Sequence, residues 1–367
     1  MTSRILVAVS LLIVVFVMGC DLVQMLAVPG PVDTDFDAAT DSDSDTDIDG
    51  DSDSDADGGP IEMDCSNCPA EGPSLDNMVC AVDLCDTDVV LDNSYDSPGE
   101  FDTDADAGLG CSPEDTRESV ARFGSDSNHL EPKLNGSYAL MASGLATGTV
   151  HSTWCDDMSG SLLDPFSDEE CMEQPCVIYD VMEWKLTLKA PDDAKSFRFK
   201  YVFFSAEYDE WIGAEFNDKF YVILEAPSTN EEAPTVINFT ECRDPDFKYD
   251  FICDTQHNDC TLGEKYCYIA VNSALSECCW YNGCLDGFAG TDITGTGYEC
   301  AASEMDDLDM NGSSTGWLQT AWPIMGGETF TITFHIHDTN DGNFDSEVII
   351  DAFQFLHTKA SGTVIIE

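Results

Sequence analysis

Two acidic segments carry the side chains best suited to chemistry in this sequence. One is a single loop whose oxygen-bearing side chains are Asp338, Asn340, Asp341, Asn343 and Asp345. The other precedes an apolar run and contains Glu207, Asn217 and Asp218. Calcium takes about six to eight oxygen ligands from flexible carboxylates and carbonyls, and crowding carboxylates without a cation raises their pKa values. We predict that both segments fold together into one calcium site; the alternative is Asx-turn chemistry without metal.

Three other patterns suggest catalysis or a second metal site. Glu207 with Asp218 is the carboxylate pair that a carbohydrate-active enzyme on a β-sandwich would use. His335 and His337 resemble half of a cupin-type metal site, but strand alternation puts both rings on the polar face, where we expect a solvent-facing pair. Residues 312–316 match the G-x-S-x-G nucleophile elbow by letter, yet that elbow requires a strand before it and a helix after it. We interpret it as a turn and expect no catalysis.

A series of short motifs resembles the choice-of-anchor L domain, a module of bacterial surface proteins. In chain order the motifs are Ser205–Tyr208, Phe216–Phe220, Gly316–Leu318, Gly327–Thr329 and Asp338–Asp351. The resemblance covers roughly residues 76–356 and implies an extracellular, β-rich module that is not an enzyme. The sequence departs from the family at Ala206, where Glu is more frequent, and in a Cys-rich insert between the two halves.

Hydrophobic alternation predicts the elements that hold these loops. Trp184, Leu186 and Leu188 alternate with polar residues, and Phe330–Ile336 does the same. This period of two indicates strands with one buried face and one wet face. No stretch has a sustained helical period, and Val79–Leu91 is interpreted as a strand pair or a strand and a turn. We predict an antiparallel, jelly-roll-like β-sandwich over residues 61–367, with a disulfide-rich insert at about 227–311.

The first residues predict export and lipid anchoring. Arg4 precedes the apolar run Ile5–Met18, which is too short for a membrane-spanning helix. Val17–Cys20 resembles a lipobox, so we predict a lipoprotein signal peptide over residues 1–19 and lipidation of Cys20. An ordinary signal peptide with an incidental cysteine is the alternative. We expect the protein in a bacterial cell envelope, at the outer membrane facing the exterior, with the inner membrane as the alternative.

A charged tether follows, and the whole chain is strongly acidic. Residues 20–60 are rich in Asp and Ser and contain too little apolar surface to form a core, so we expect a disordered spacer. The net charge of -58 comes from 72 acidic and 14 basic residues. Such a chain repels nucleic acid. The expected partners are the membrane, through the N-terminal lipid, and an extracellular glycan or protein. We therefore expect a surface-displayed binding or adhesion module; besides the carbohydrate-active enzyme, the alternative is a purely structural envelope protein.

Seventeen cysteines indicate a disulfide framework in an oxidising compartment. With Cys20 assigned to the lipid, sixteen candidates remain: Cys65, Cys68, Cys80, Cys85, Cys111, Cys155, Cys171, Cys176, Cys242, Cys253, Cys260, Cys267, Cys278, Cys279, Cys284 and Cys300. The first four also imitate zinc-ligand spacing, which is the alternative there. In the insert, Trp280, Tyr281 and Phe288 are weak candidates for ligand binding; the alternative is a small core that shields the disulfides.

Overall fold

The computed structural model describes residues 59–63, 65, 71–99, 112–125, 129–146, 162–166, 176–207, 216–229, 233–241, 266–271, 293–298, 312–342 and 344–366. These residues form a short helix, α1 (Leu75–Ala81), and the strands β1 (Pro60–Ile61), β2 (Val90–Asp96), β3 (Arg117–Val120), β4 (Tyr138–Ala142), β5 (Leu162–Leu163), β6 (Val177–Lys189), β7 (Ser196–Ser205), β8 (Lys219–Glu225), β9 (Thr235–Val236), β10 (Phe239–Glu241), β11 (Tyr266–Ala270), β12 (Ser313–Ser314), β13 (Leu318–Pro323), β14 (Thr329–Thr339), β15 (Ser346–Leu356) and β16 (Gly362–Ile365). The predicted signal peptide, the tether and Cys20 lie outside the described residues.

Two antiparallel sheets make up the sandwich. In the described part of the chain, sheet A has the order β16-β13-β7-β15-β4-β3, with β1 beside β15 and β12 beside β7. Sheet B has the order β10-β11-β8-β14-β6-β2, with β5 beside β6 and β9 beside β8. Strands β6 and β14 contain the segments whose alternation predicted strands. The prediction of a mainly β, antiparallel sandwich is therefore confirmed.

The core between the sheets is built from aromatic side chains that alternate along the strands. Phe197 of sheet A stacks on Phe330 of sheet B with ring centroids 5.4 Å apart. Phe199 meets Phe334 edge to face at 5.4 Å. All four side chains are buried. Aromatic pairs of this kind contribute beyond their buried area, so they help to hold the two sheets face to face. Phe330 and Phe334 point inward, as the alternation predicted.

The outer faces of both sheets are also partly covered, which the alternation did not predict. A second apolar cluster lies on sheet A and contains Phe123, Phe204, Tyr298, Trp317 and Ile349. A smaller one lies on sheet B, where Phe166 and Tyr268 pack on Tyr221, Ile223 and Val236. The expectation of a solvent-facing pair at His335 and His337 is wrong, because these side chains are only 2% and 0% exposed. The chain at Leu162–Phe166 lies over them, far away in sequence.

The helix α1 was not predicted from the sequence. Ser74 caps it, since its hydroxyl accepts a hydrogen bond from the backbone N–H of Asn77 at 3.2 Å. Met78 and Val79 are buried against the sandwich. The prediction of strand or turn from Val79 is therefore wrong for the first residues of that segment, and β2 begins only at Val90. No helix in the described ranges is long and apolar enough to cross a membrane.

Within the described residues, both partners are known for one disulfide. Cys65 and Cys85 are bonded, with their Cα atoms 5.1 Å apart. Cys80 and Cys176 are disulfide-bonded as well. The sulfurs of Cys65 and Cys85 are thus not available as zinc ligands. Of the other candidates, Cys267 lies in β11, and the remainder lie outside the described residues: Cys68, Cys111, Cys155, Cys171, Cys242, Cys253, Cys260, Cys278, Cys279, Cys284 and Cys300.

Candidate functional site

The ends of four central strands meet at one edge of the sandwich. Ser346 at the start of β15 pairs with Ser205 at the end of β7. In sheet B, His337 of β14 pairs with Lys219 at the start of β8. These two registers bring together the candidate ligands next to the paired residues, namely Glu207, Asp218, Asp338 and Asp345. We call these four side chains the acidic edge. The structure thus joins the two acidic segments that the sequence placed more than a hundred positions apart.

Asp218 ties three strands together. Its Oδ1 atom accepts a hydrogen bond from the backbone N–H of Thr339 at 3.0 Å, and its Oδ2 atom accepts one from the Ser346 hydroxyl at 2.9 Å. The carbonyl of Asn217 accepts a hydrogen bond from the Thr339 hydroxyl at 2.8 Å. These hydrogen bonds join segments that are far apart in the chain, so they differ from the local Asx turn that the sequence offered as the alternative. Asp218 and Asn217 therefore have a structural role whether or not a cation binds.

Glu207 and Asp218 contact each other through their carboxyl groups. Burial raises the pKa of Asp218 to about 7 against the hydrogen bonds from Thr339 and Ser346, which lower it. Burial, and then the negative charges of Asp218 and Asp341, hold the pKa of Glu207 well above its ordinary value. Two carboxylates in contact resist ionising together, so the pair retains a proton near neutral pH. The Oε2 atom of Glu207 is buried and has no hydrogen-bond partner.

Asp338 is the most constrained carboxyl group of the acidic edge. It is 1% exposed, and neither of its oxygens has a donor in hydrogen-bonding geometry. Burial raises its pKa well above the ordinary value, and the charges of Asp218, Asp180 and Asp345 raise it further, whereas the nearby Ser143 hydroxyl lowers it. A buried carboxylate without a donor or a cation is costly. Burial and the three neighbouring charges outweigh the Ser143 hydroxyl, so the ionised form of Asp338 is poorly compensated.

The carboxylate of Asp345 packs directly against the backbone of Gly144. A Cβ atom on this glycine would overlap the carboxylate of Asp345. The adjoining backbone is held by reciprocal hydrogen bonds: the N–H of Ser143 donates to the carbonyl of Ser346, and the N–H of Ser346 donates to the Ser143 hydroxyl, both at 2.9 Å. Only a residue without a side chain fits between β4 and β15 at this point.

Sequence reasoning missed three residues around the acidic edge. Asp180 lies in β6, is fully buried and has a left-handed φ of 49°. Glu347 is buried in β15, and burial raises its pKa well above the ordinary value although the Tyr298 hydroxyl beside it lowers it. Asp180 interrupts the apolar residues of β6, and Glu347 directly precedes the apolar run of β15; these positions were the available signal. The negative charges of Glu347 and Asp345 add to burial in raising the pKa of Tyr298.

The other candidate residues are placed less centrally. Asn340 and Asp341 are half-buried in the loop after β14, and Asn343 lies outside the described residues. Across the described ranges, no three His, Cys, Asp or Glu side chains surround one metal position. The direct contact of Glu207 with Asp218 also differs from the roughly 5–9.5 Å separation of carboxylates that hydrolyse glycosides. Trp280, Tyr281 and Phe288 lie outside the described residues.

A comparison with protein families gives a match in the second half of the chain. Residues 191–356 match the family model of the Choice-of-anchor L domain. The matched span begins just before β7, ends with β15 and contains the whole acidic edge. It supports the resemblance seen in the sequence, and it indicates a surface-associated module. No curated protein matches the chain significantly.

Proposed function

We propose that this protein is an exported, lipid-anchored module that is displayed on the bacterial surface and binds an extracellular glycan or protein without catalysis. In this proposal, calcium at the acidic edge stiffens the loops that join the two sheets. The match to the Choice-of-anchor L domain supports surface association. The lipobox-like Val17–Cys20 and the acidic tether support a lipid anchor with a spacer.

The buried carboxyl group of Asp338 is the observation that carries the calcium proposal. It lies among the carboxyl groups of Asp218 and Asp345, neither of its oxygens has a donor in hydrogen-bonding geometry, and the nearby Ser143 hydroxyl only partly offsets the burial. Near neutral pH the group has two ways to avoid an uncompensated charge: it keeps a proton or it binds a cation. The described side chains form no complete ligand set. Calcium binding therefore requires Asp338, Glu207 and Asp345 to rotate toward a common ion, which the flexible geometry of calcium allows.

Thermal unfolding of the purified protein, with disulfides intact, tests calcium binding. Extracellular calcium modules have dissociation constants of about 10⁻⁴–10⁻³ M. At a calcium concentration about 100-fold above Kd, binding to the folded state contributes about 2.7 kcal/mol. That corresponds to a rise in Tm of about 5 °C at roughly 2 °C per kcal/mol. We expect this rise in calcium and its reversal in EDTA; equal Tm values in the two solutions would contradict the site.

Two variants separate the acidic edge from a general effect of calcium on an acidic protein. Asp338→Asn removes a charge from the edge with little change of shape, so it should be more stable than wild type in EDTA and should lose the calcium-dependent rise. Asp351→Asn is the matched control, because Asp351 is also fully buried but lies in β15 away from the edge. It should keep the rise. A rise that survives in Asp338→Asn would place calcium elsewhere.

Fractionation of cells tests the anchor. Substitution Cys20→Ser removes the thioether position that a lipobox requires, so the protein should leave the membrane fraction. Mass analysis of the wild-type N-terminal peptide should show the added mass of a diacylglyceryl group on Cys20. Membrane association that persists in the variant would contradict lipid anchoring at Cys20 and would leave the surface assignment without its attachment.

A further inference from the structure

A second buried polar cluster lies on the outer face of sheet B. The register of β14 on β8 places His335 opposite Tyr221 and His337 opposite Lys219. Asp164, which follows β5, lies against three of these side chains, Lys219, Tyr221 and His337. Its Oδ2 atom is 3.1 Å from Lys219 Nζ, 2.9 Å from the Tyr221 hydroxyl and 3.7 Å from His337 Nε2. The alternation of residues along the strands predicts that this face is exposed to solvent, but the structure shows that it is covered.

The cluster is closed to solvent. The side chains of Lys219 and Asp164 are 2% and 0% exposed, and that of His337 is 0% exposed. Phe166 and Tyr268 pack on the Tyr221 ring, with centroids 5.5 Å and 5.1 Å away. A buried ion pair contributes little net stability, since desolvation offsets its attraction. An amine beside a carboxyl group in a site shielded from solvent is, however, the arrangement in which amide formation is favoured over hydrolysis.

A chain of hydrogen bonds orients His337. Glu183 of β6 lies 3.0 Å from His335 Nδ1, and His335 Nε2 lies 2.9 Å from His337 Nδ1. An ionised Glu183 accepts a hydrogen bond from the N–H of His335 Nδ1. His335 Nε2 is then unprotonated and accepts a hydrogen bond from the N–H of His337 Nδ1. This leaves a lone pair on His337 Nε2, the atom that faces Asp164. The remote carboxylate thus sets the tautomer of a base beside the amine and the acid.

We propose that Lys219 and Asp164 form an intramolecular isopeptide bond. A proton passes from the Lys219 ammonium to the Asp164 carboxylate along their hydrogen bond, which gives a neutral amine and a neutral acid. The Nζ lone pair then attacks Cγ of Asp164, while the Tyr221 hydroxyl donates a hydrogen bond to the carboxyl oxygen. His337 Nε2 takes the second proton from Nζ and delivers it to the departing hydroxyl. One C–N bond forms, one C–O bond breaks, one water leaves, and no oxidant or cofactor is consumed.

The bond would join parts of the chain that are 55 residues apart. It fixes the segment that follows β5 onto β8, and therefore onto the middle of sheet B. The outer layer of the sandwich would then remain attached even when the sheets are pulled or heated. Covalent closure of a loop also stabilises the folded state by restricting the unfolded chain, by the reasoning that applies to disulfides.

Peptide mapping of the reduced and alkylated full-length protein tests the bond directly. Trypsin does not cleave after a lysine whose Nζ is acylated. We expect a branched species in which peptide 134–185 is joined to peptide 201–243, uncleaved at Lys219 and lighter than the two together by one water. Complete recovery of the separate linear peptides 134–185 and 201–219, after prolonged incubation of the folded protein, would overturn the proposal.

Three variants make the test specific. K219R keeps the positive charge but should give only linear peptides. D164N should still form the bond, now lighter by one ammonia, which identifies the carbonyl of residue 164 as the electrophile. H337Q removes the base and should slow bond formation about 100-fold or more, while its β-sheet circular dichroism stays unchanged. A branched species in K219R would refute the assignment of the amine, and a wild-type rate in H337Q would refute the role of His337.

Discussion

Replacing Asp351 by asparagine should stabilise the protein, and the gain should depend on pH. Asp351 is fully buried in β15, and its Oδ2 atom accepts a hydrogen bond from the backbone N–H of Lys133. Its Oδ1 atom has no hydrogen-bond partner. Burial first, and then the charge of Asp83, raises the pKa of Asp351 to about 7, although Lys200 lowers it. An asparagine keeps the acceptor for Lys133 and removes the group that ionises.

The sign and size of the effect follow from this shift. A folded-state pKa raised above the unfolded value gives stability that is complete below the unfolded pKa and is lost as pH rises through the folded pKa. The difference between 7 and 3.8 is about 3 pKa units, which corresponds to about 4 kcal/mol at 1.36 kcal/mol per unit. About 3 kcal/mol of this loss falls between pH 5 and pH 8. The asparagine of the Asp351→Asn variant does not titrate, so the variant should not lose this stability as the pH rises.

Urea unfolding followed by tryptophan fluorescence measures the difference. We expect Asp351→Asn to exceed wild type in unfolding free energy at pH 8 and to lose most of that advantage at pH 5. Asp92→Asn on the exposed surface of β2 is the matched control and should behave like wild type at both values. Measurements in EDTA keep cation binding out of the comparison. The reasoning is refuted if the variant is less stable than wild type at pH 8, or if its advantage is the same at pH 5.

Two further substitutions test the packing. Gly144→Ala should destabilise the protein by about 1–3 kcal/mol or more, because its methyl group overlaps the Asp345 carboxylate and the pairing of β4 with β15 must shift; an unchanged Tm would show that the loop yields freely. Replacing both Cys65 and Cys85 by alanine opens a disulfide with a sequence separation of 20 residues. We expect a loss of about 3 kcal/mol in the unfolding free energy, measured under non-reducing conditions; reducing agent alone applied to the variant is the control for the other cysteines.

Much of the fold could be predicted because strands leave a local pattern. Trp184, Leu186 and Leu188 are buried while Lys185 and Lys189 are exposed, as their alternation predicted. The pattern works there because each side chain has only two faces to choose between. The helix α1 gave no such signal, since seven residues make barely two turns. Its capping serine was visible in the sequence, but a single cap does not identify a helix.

The candidate site divides in the same way. The acidic segments near Glu207 and Asp338 could be recognised in the sequence by their many carboxyl groups, and the structure places the two segments together. Their burial, and hence the raised pKa values, was not visible. Asp180 and Glu347 were missed because an acidic residue in a strand is expected to face solvent. Only the tertiary structure shows that other segments of the chain cover these two positions.

By itself, the sequence determined which residues share a strand face and which loops are rich in carboxylates, because both depend on near neighbours along the chain. Only the tertiary structure decided what covers each face. His337 and Lys219 were expected on an exposed face, yet Asp164 lies against both of them, and Phe166 packs on the neighbouring Tyr221. That contact joins segments far apart in the chain. Its energy comes from packing between them, and no local periodicity records it.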